Sequence, residues 1–128
     1  MSEGQRFLDK CLEATVAVDP WPYQILNDTL SSGTFDKLKQ QCIEKFNFET
    51  NELHHIFPRN YEEYGLDFYD ETVDICKTLL KNYKSLCGKY PKHRNFPNLG
   101  INAHISITPP LPYKFPIHQE GIEKTLEL

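Results

Sequence analysis

The stretch "GINAHISITPP" constrains the fold of this chain most, because its apolar and polar residues alternate strictly. A β-strand points successive side chains to opposite faces of its sheet, so this alternation indicates a strand with one apolar and one polar face. The prolines that follow would end the strand, and we predict it over residues 100–108. Its polar face consists of Asn102, His104, Ser106 and Thr108.

A second extended stretch, "YKFPIHQE", follows a short proline-rich turn, and we predict it as a hairpin neighbour over residues 113–118. His118 and Glu120 are two positions apart and would therefore project from one face of this segment. Imidazole and carboxylate are two of the three protein ligands in the 2-His-1-carboxylate Fe(II) site. The pair is a candidate metal site that needs a second histidine, and a surface pair on an edge strand is the alternative.

Three segments have the three-to-four-residue apolar spacing of amphipathic helices. The first is short and contains Phe7 and Cys11, the second covers residues 34–46 with Thr34 as its cap, and the third covers residues 68–87. The predicted buried faces are Phe35, Leu38, Cys42 and Phe46 in the second helix, and Tyr69, Val73, Cys76, Leu80, Tyr83 and Cys87 in the third.

Two further segments have weaker patterns. "WPYQIL" alternates through Trp21, Tyr23 and Ile25, which predicts a first strand over residues 21–26. "ETNELHHIFPRNYEEYG" has no clean period and is predicted to be a loop. Its adjacent histidines, His54 and His55, could bind a metal, but without a second ligand pair in register we favour exposed polar residues.

Length, charge and cysteine spacing limit the function classes. The 128 residues suit a single domain over 1–128, with a net charge of -4 and no global positive field to attract nucleic acid. No apolar run approaches the roughly 18 residues that span a bilayer, so no membrane partner is expected.

The four cysteines contain no C-x-x-C pair and are predicted to be free, mostly buried thiols. We therefore expect a reducing cytoplasm, bacterial or that of an infected cell.

Two stretches carry a resemblance to a known family. "DPWPYQILNDTLSSGTFDKLKQQ" matches a D-P-x-P-Y strand that enters a helix, and "FPIHQEGIEK" matches an H-x-D/E motif with a following lysine. The matching residues are Asp19, Pro20, Pro22, Tyr23, Leu30, Phe35, Leu38, His118, Glu120 and Lys124. With these motifs the chain resembles the N-terminal half of phage-encoded 2-oxoglutarate/Fe(II)-dependent oxygenase-like proteins, which are related to prolyl-hydroxylase-type enzymes. Glu120 stands where most members of that family carry aspartate.

The resemblance implies a fold and a set of ligands. The fold would be α+β, with helices packed on an incomplete, mostly antiparallel double-stranded β-helix, a jelly-roll-like sheet. His118 and Glu120 would bind Fe(II). Asn102 and His104 would face the same cavity and contact the 2-oxoglutarate cosubstrate, and Lys124 would meet one of its carboxylates.

The family places its distal histidine and its 2-oxoglutarate-gripping basic residue several strands after the H-x-D/E motif. We therefore expect a truncated or split dioxygenase-like protein, inactive as an isolated chain and completed by a second chain or a downstream segment. The alternative is a non-enzymatic phage structural or accessory protein that assembles through its open sheet edge, in which case two copies could also pair there. A remnant without activity is a third possibility.

Overall fold

The computed structural model describes residues 1–46, 54–90 and 100–107. Within these ranges the chain is α+β, as predicted, with four helices and a two-stranded antiparallel sheet. Two short 3-10 turns lie between the first strand and the third helix. The elements in chain order are α1 (Glu3–Glu13), α2 (Ser32–Lys45), β1 (His54–Ile56), the 3-10 turns Pro58–Asn60 and Glu62–Tyr64, α3 (Tyr69–Lys81), α4 (Tyr83–Cys87) and β2 (Ile105–Ile107).

Helix α1 confirms the predicted N-terminal helix and packs along α3. Its buried residues, Gly4, Leu8 and Cys11, recur at spacings of four and three and so form one stripe. The Ser2 hydroxyl caps the helix by accepting a hydrogen bond from the Gln5 amide at 3.0 Å. A glycine in the stripe lets the two helix backbones approach closely, which brings the N-terminus of α1 against α3.

Helix α2 confirms the second predicted helix, but its cap is Ser31 and the predicted cap, Thr34, lies inside the helix. Leu38 and Cys42 pack against the core from partly buried positions, and Phe46 is buried just after the helix ends. Phe35 was predicted to be on the buried face, but its side chain is 52% exposed. None of the residues within α2 is fully buried, so this helix covers the core only loosely.

The third predicted helix is divided into α3 and α4 at Asn82. The Asn82 side chain donates to the Thr78 carbonyl at 2.8 Å, and the Asn82 amide donates to the same carbonyl at 3.2 Å. A side chain that bonds a nearby carbonyl competes with the regular helical ladder, which accounts for the break.

The buried stripe of α3 also differs from the predicted one. Tyr69 and Leu80 were predicted to be buried but are 52% and 38% exposed. Apolar residues occur at neighbouring positions along this helix, so two overlapping stripes exist in the sequence and packing selects the other one. The residues buried in α3 and α4 are Thr72, Ile75, Leu79 and Leu86.

Strands β1 and β2 pair antiparallel, with His55 opposite Ser106 and Ile56 opposite Ile105. The predicted strand over 100–108 is therefore confirmed in part, because, of its described residues, 100–107, only Ile105–Ile107 is strand. The segment predicted to be a loop around His54 and His55 instead supplies the partner strand.

The predicted strand over residues 21–26 is wrong. Tyr23 makes a single bridge to Ala17, while Trp21 and Ile25 are 66% and 71% exposed. Prolines beside this run remove backbone donors, and the apolar side chains have no sheet to cover. The predicted strand over residues 113–118, and its hairpin pairing with 100–108, lie outside the described residues.

The core lies between α1, α3 and the apolar face of the sheet. Ile56 and Tyr61 are its most deeply buried large side chains, at 1% and 2% exposure. The apolar residues of β2 pack against this core from partly buried positions. The opposite, polar face of the sheet is therefore left for the candidate site.

Candidate functional site

The predicted site residues divide between the described and the masked parts of the chain. Asn102 is exposed and His104 is half-buried, both just before β2. His118, Glu120 and Lys124 lie outside the described residues. Within the described ranges, no group of three or more His, Cys, Asp or Glu side chains could hold a metal ion.

The polar face of the sheet brings two imidazoles together. The ring centroids of His55 and His104 are 5.0 Å apart, and the ring planes are inclined by 37°. His55 is opposite Ser106 in the register, so His104 is its diagonal neighbour on the same face. Pairing of two strands that are distant in sequence therefore places one exposed and one half-buried histidine side by side.

Phe57 follows β1 at the next position on this face and lies near His104. Its ring centroid is 5.9 Å from that of His104, at an inclination of 52°. The guanidinium of Arg59 lies 4.8 Å from the Phe57 ring centroid, which is within the range of a cation–π contact. The His104 ring thus has two aromatic neighbours, His55 and Phe57, and the positive charge of Arg59 lies over the Phe57 ring.

His54 is adjacent in sequence but belongs to the opposite face of the strand. Its ring centroid is 5.2 Å from that of the buried Phe46, which also stacks on Tyr64 at 5.3 Å. His54 is half-buried in this cluster. The two adjacent histidines therefore have different environments, one aromatic and internal, the other facing outward.

A cavity of about 170 Å³ lies beside residues 103–105, where the chain enters β2. Its lining is mostly apolar and includes Phe7 from α1, Ile75 from α3 and Ile105 from β2. Its polar points include Thr72 and His104. A cavity of this size suits a small, mainly apolar group, and His104 connects it to the polar face of the sheet.

The thiols of the chain are poor nucleophiles in their present environments. All four cysteines are free, as predicted, but only Cys11 is fully buried. Burial raises the pKa of Cys76, which lines the cavity, and of Cys42 and Cys87. Burial also raises the pKa of Cys11, although the nearby ammonium of Lys89 lowers it in part. Because the thiolate is the reactive form, these shifts favour packing over catalysis.

Sequence reasoning identified His104 but assigned no role to His55 or Phe57. The available signal was the four-residue run "HHIF", in which His54 and Ile56 prove to face inward and His55 and Phe57 outward. Such a run is too short to establish a period of two. Only the cross-strand register reveals that its outward histidine meets His104.

Comparison of the chain with protein-family models, with curated proteins and with solved structures gives no match. In the parts of the chain that the structure describes, every helix is too short or too polar to cross a bilayer.

Proposed function

We propose that the chain is a 2-oxoglutarate/Fe(II)-dependent dioxygenase-like protein that carries part of an iron site and oxidises its substrate only when that site is completed. One observation supports the proposal most. Strand β2 has the core on one side, and His104 lies just before the strand on the side of the polar face. The proline-rich segment that leads to His118 and Glu120 follows β2 in the sequence. A metal motif on a following strand would then share a sheet with His104.

The residues have distinct roles in this proposal. Fe(II), once bound with 2-oxoglutarate, supplies oxygen-dependent hydroxylation coupled to decarboxylation of 2-oxoglutarate to succinate. His118 and Glu120 hold the metal, and Lys124 pairs with a carboxylate of the cosubstrate. Asn102 and His104 donate hydrogen bonds to the cosubstrate from the polar side of the sheet. The exposed Asn102 amide and the half-buried His104 imidazole both have the donor groups that this role needs.

The identity of the third ligand separates two versions of the proposal. In the favoured version a second chain or a further segment supplies a histidine, so the isolated chain holds iron through two ligands and does not turn over. In the other version His104 itself completes a His104–His118–Glu120 site. In the first version the His104 ring keeps its contact with His55, with 5.0 Å between the ring centroids.

Anaerobic calorimetric titration with Fe(II), followed by 2-oxoglutarate, tests the metal site. We expect His118→Ala and Glu120→Ala each to weaken Fe(II) binding by more than about tenfold, because even loss of a residue behind a ligand costs about 10–100-fold. His93→Ala is the matched control, since His93 lies in the basic stretch "KYPKHR", to which the proposal gives no role. Unchanged affinity in both site variants would contradict the proposal.

Succinate release with Fe(II), ascorbate and 2-oxoglutarate separates the two versions. The favoured version predicts background turnover for the isolated chain. Turnover above background that disappears in both His118→Ala and His104→Ala would instead establish a complete site within the chain.

An assembly role is the second candidate. Among the described residues the sheet has two strands, so β1 and β2 each have one edge that no other described strand covers. An open edge can pair with a strand of another molecule. Sedimentation velocity over a range of concentrations should then show self-association, and a monomer throughout would argue against pairing of two copies.

A further inference from the structure

We infer that the polar face of the β1–β2 sheet binds a divalent transition-metal ion between the imidazoles of His55 and His104. This site shares His104 with the proposed 2-oxoglutarate site but uses neither His118 nor Glu120 as a ligand. Its ligands would be two neutral ring nitrogens, with water at the remaining positions. The inference rests on the distance between the rings, on their support by the sheet and on the chemistry of the two donors.

The spacing of the two rings matches that of a shared metal. Zinc binds an imidazole nitrogen at about 2.0–2.1 Å, and the nitrogen lies about 1.2 Å from the ring centre, so each centroid lies about 3.2 Å from the ion. Two rings on one ion then have centroids about 4.5 Å apart at a right angle and about 5.2 Å apart at the tetrahedral angle. The observed separation of 5.0 Å falls between these limits.

The sheet holds the pair in place before any ion arrives. The antiparallel register fixes the backbones of both strands, with His55 opposite Ser106 and His104 diagonal to it. The Phe57 ring is a second neighbour of His104, with 5.9 Å between the ring centroids. Ligands that are already positioned lose less conformational entropy on binding, which favours the ion. Because His55 is exposed, the ion can reach the pair from solvent.

The donor set indicates which ions bind. Imidazole suits zinc, nickel and copper, whereas magnesium and calcium prefer oxygen ligands. The general order of affinity for such sites places Cu²⁺ above both Ni²⁺ and Zn²⁺. If the two rings made only an aromatic contact and bound no metal, this order of affinities would not be observed.

The test uses the full chain, with calorimetric titration of Cu²⁺, Ni²⁺, Zn²⁺ and Mg²⁺ as chlorides. We expect copper to bind most tightly and magnesium not to bind, with one ion held by the His55–His104 pair besides any ion held by His118 and Glu120. His55→Gln and His104→Gln should each weaken Cu²⁺ binding by more than about tenfold, by analogy with the 10–100-fold cost of losing a residue behind a ligand. His54→Gln is the matched control, because it removes a histidine from the same strand but from the opposite face.

A double variant, His118→Ala with Glu120→Ala, separates this site from the proposed iron site. We expect it to retain Cu²⁺ binding, even where it abolishes Fe(II) binding. Loss of Cu²⁺ binding in the double variant, or its retention in both His55→Gln and His104→Gln, would overturn the inference.

A measurement on the wild-type chain avoids any dependence on variant folding. Substoichiometric Cu²⁺ is paramagnetic and broadens the nuclear magnetic resonance signals of nearby groups. The signals of His55, His104 and Ser106 should broaden before that of His54, which lies on the opposite face of the strand. Earlier broadening of His54 would overturn the inference.

Discussion

Replacing Gly4 with alanine tests the close packing of α1 on α3. A Cβ atom at this position would lie 2.5 Å from Thr78 Oγ1, 2.7 Å from the Asp74 carbonyl oxygen and 2.8 Å from Asp74 Oδ2. Non-bonded heavy atoms normally stay about 3.5 Å or more apart, so the helices would have to separate by several tenths of an ångström. The Thr78 hydroxyl can rotate away, but the Asp74 carbonyl belongs to the α3 backbone and cannot.

The magnitude follows from three contributions. Overpacking of a tight contact costs about 1–3 kcal/mol. Separation of the helices would also stretch the 2.7 Å hydrogen bond from the Gly4 amide to Asp74 Oδ2, which is worth about 1 kcal/mol. Alanine also stabilises the helix by up to about 1 kcal/mol relative to glycine, which offsets part of this loss. We therefore expect Gly4→Ala to lower the free energy of unfolding by about 1–3 kcal/mol.

Urea unfolding followed by circular dichroism measures this change. Gly33→Ala is the matched control, because Gly33 lies in the first turn of α2 and a Cβ there meets nothing within 4 Å. We expect its free energy of unfolding to stay the same or to rise by up to about 1 kcal/mol. The reasoning is refuted if Gly4→Ala is as stable as the wild type, or if Gly33→Ala is equally damaging.

Two further variants test the hydrogen bonds at the ends of α1. Burial raises the pKa of Glu3, but hydrogen bonds from Ser31 and Thr34 outweigh it, so its pKa lies below the ordinary 4.5. The contribution of Glu3 to the free energy of unfolding is therefore fully present above pH 4.5 and is lost as the pH falls through the lower pKa of the folded state. Glu3→Gln removes this titration, so its free energy of unfolding, measured by urea unfolding, should fall less steeply as the pH is lowered across that range. The Lys89 ammonium donates to three carbonyls at the end of α1, so Lys89→Met should lower the free energy of unfolding by about 1–3 kcal/mol. Lys84→Met, which replaces an exposed lysine, is the control. Equal losses of stability in the two variants in thermal melts would contradict the role of Lys89 at the end of α1.

Helices were the part of the fold that the sequence could predict, because their hydrogen bonds join residues four apart. The periodic spacing located α2 and the α3–α4 region within a few residues of their observed bounds, and it indicated α1 without giving its bounds. It could not locate the cap of α2, because Ser31 and Thr34 are both competent caps and their common acceptor is Glu3, on another helix. It also could not choose between neighbouring apolar stripes of α3, since that choice depends on which stripe meets α1.

The sheet was harder to predict for a related reason. β2 was predicted from its alternation. β1 has only three residues, too few to show a period of two, and its pairing is with β2, which is distant in sequence. The same non-local register creates the contact of His55 with His104. Of the candidate site, sequence reasoning could therefore predict His104 and its face. It could not predict that the His55 ring lies beside His104.

The pairing of α1 with α3 has a consequence for synthesis on the ribosome. The Gly4 amide bonds a side chain 70 residues later, so α1 leaves the ribosome long before its packing partner exists. At roughly 5–20 residues per second, that delay lasts roughly 4 to 14 s. During this time the Leu8 and Cys11 face of the nascent helix is exposed to solvent and available to chaperones. Substitutions that make this face more apolar should therefore reduce the soluble yield in cells even where the purified protein is equally stable.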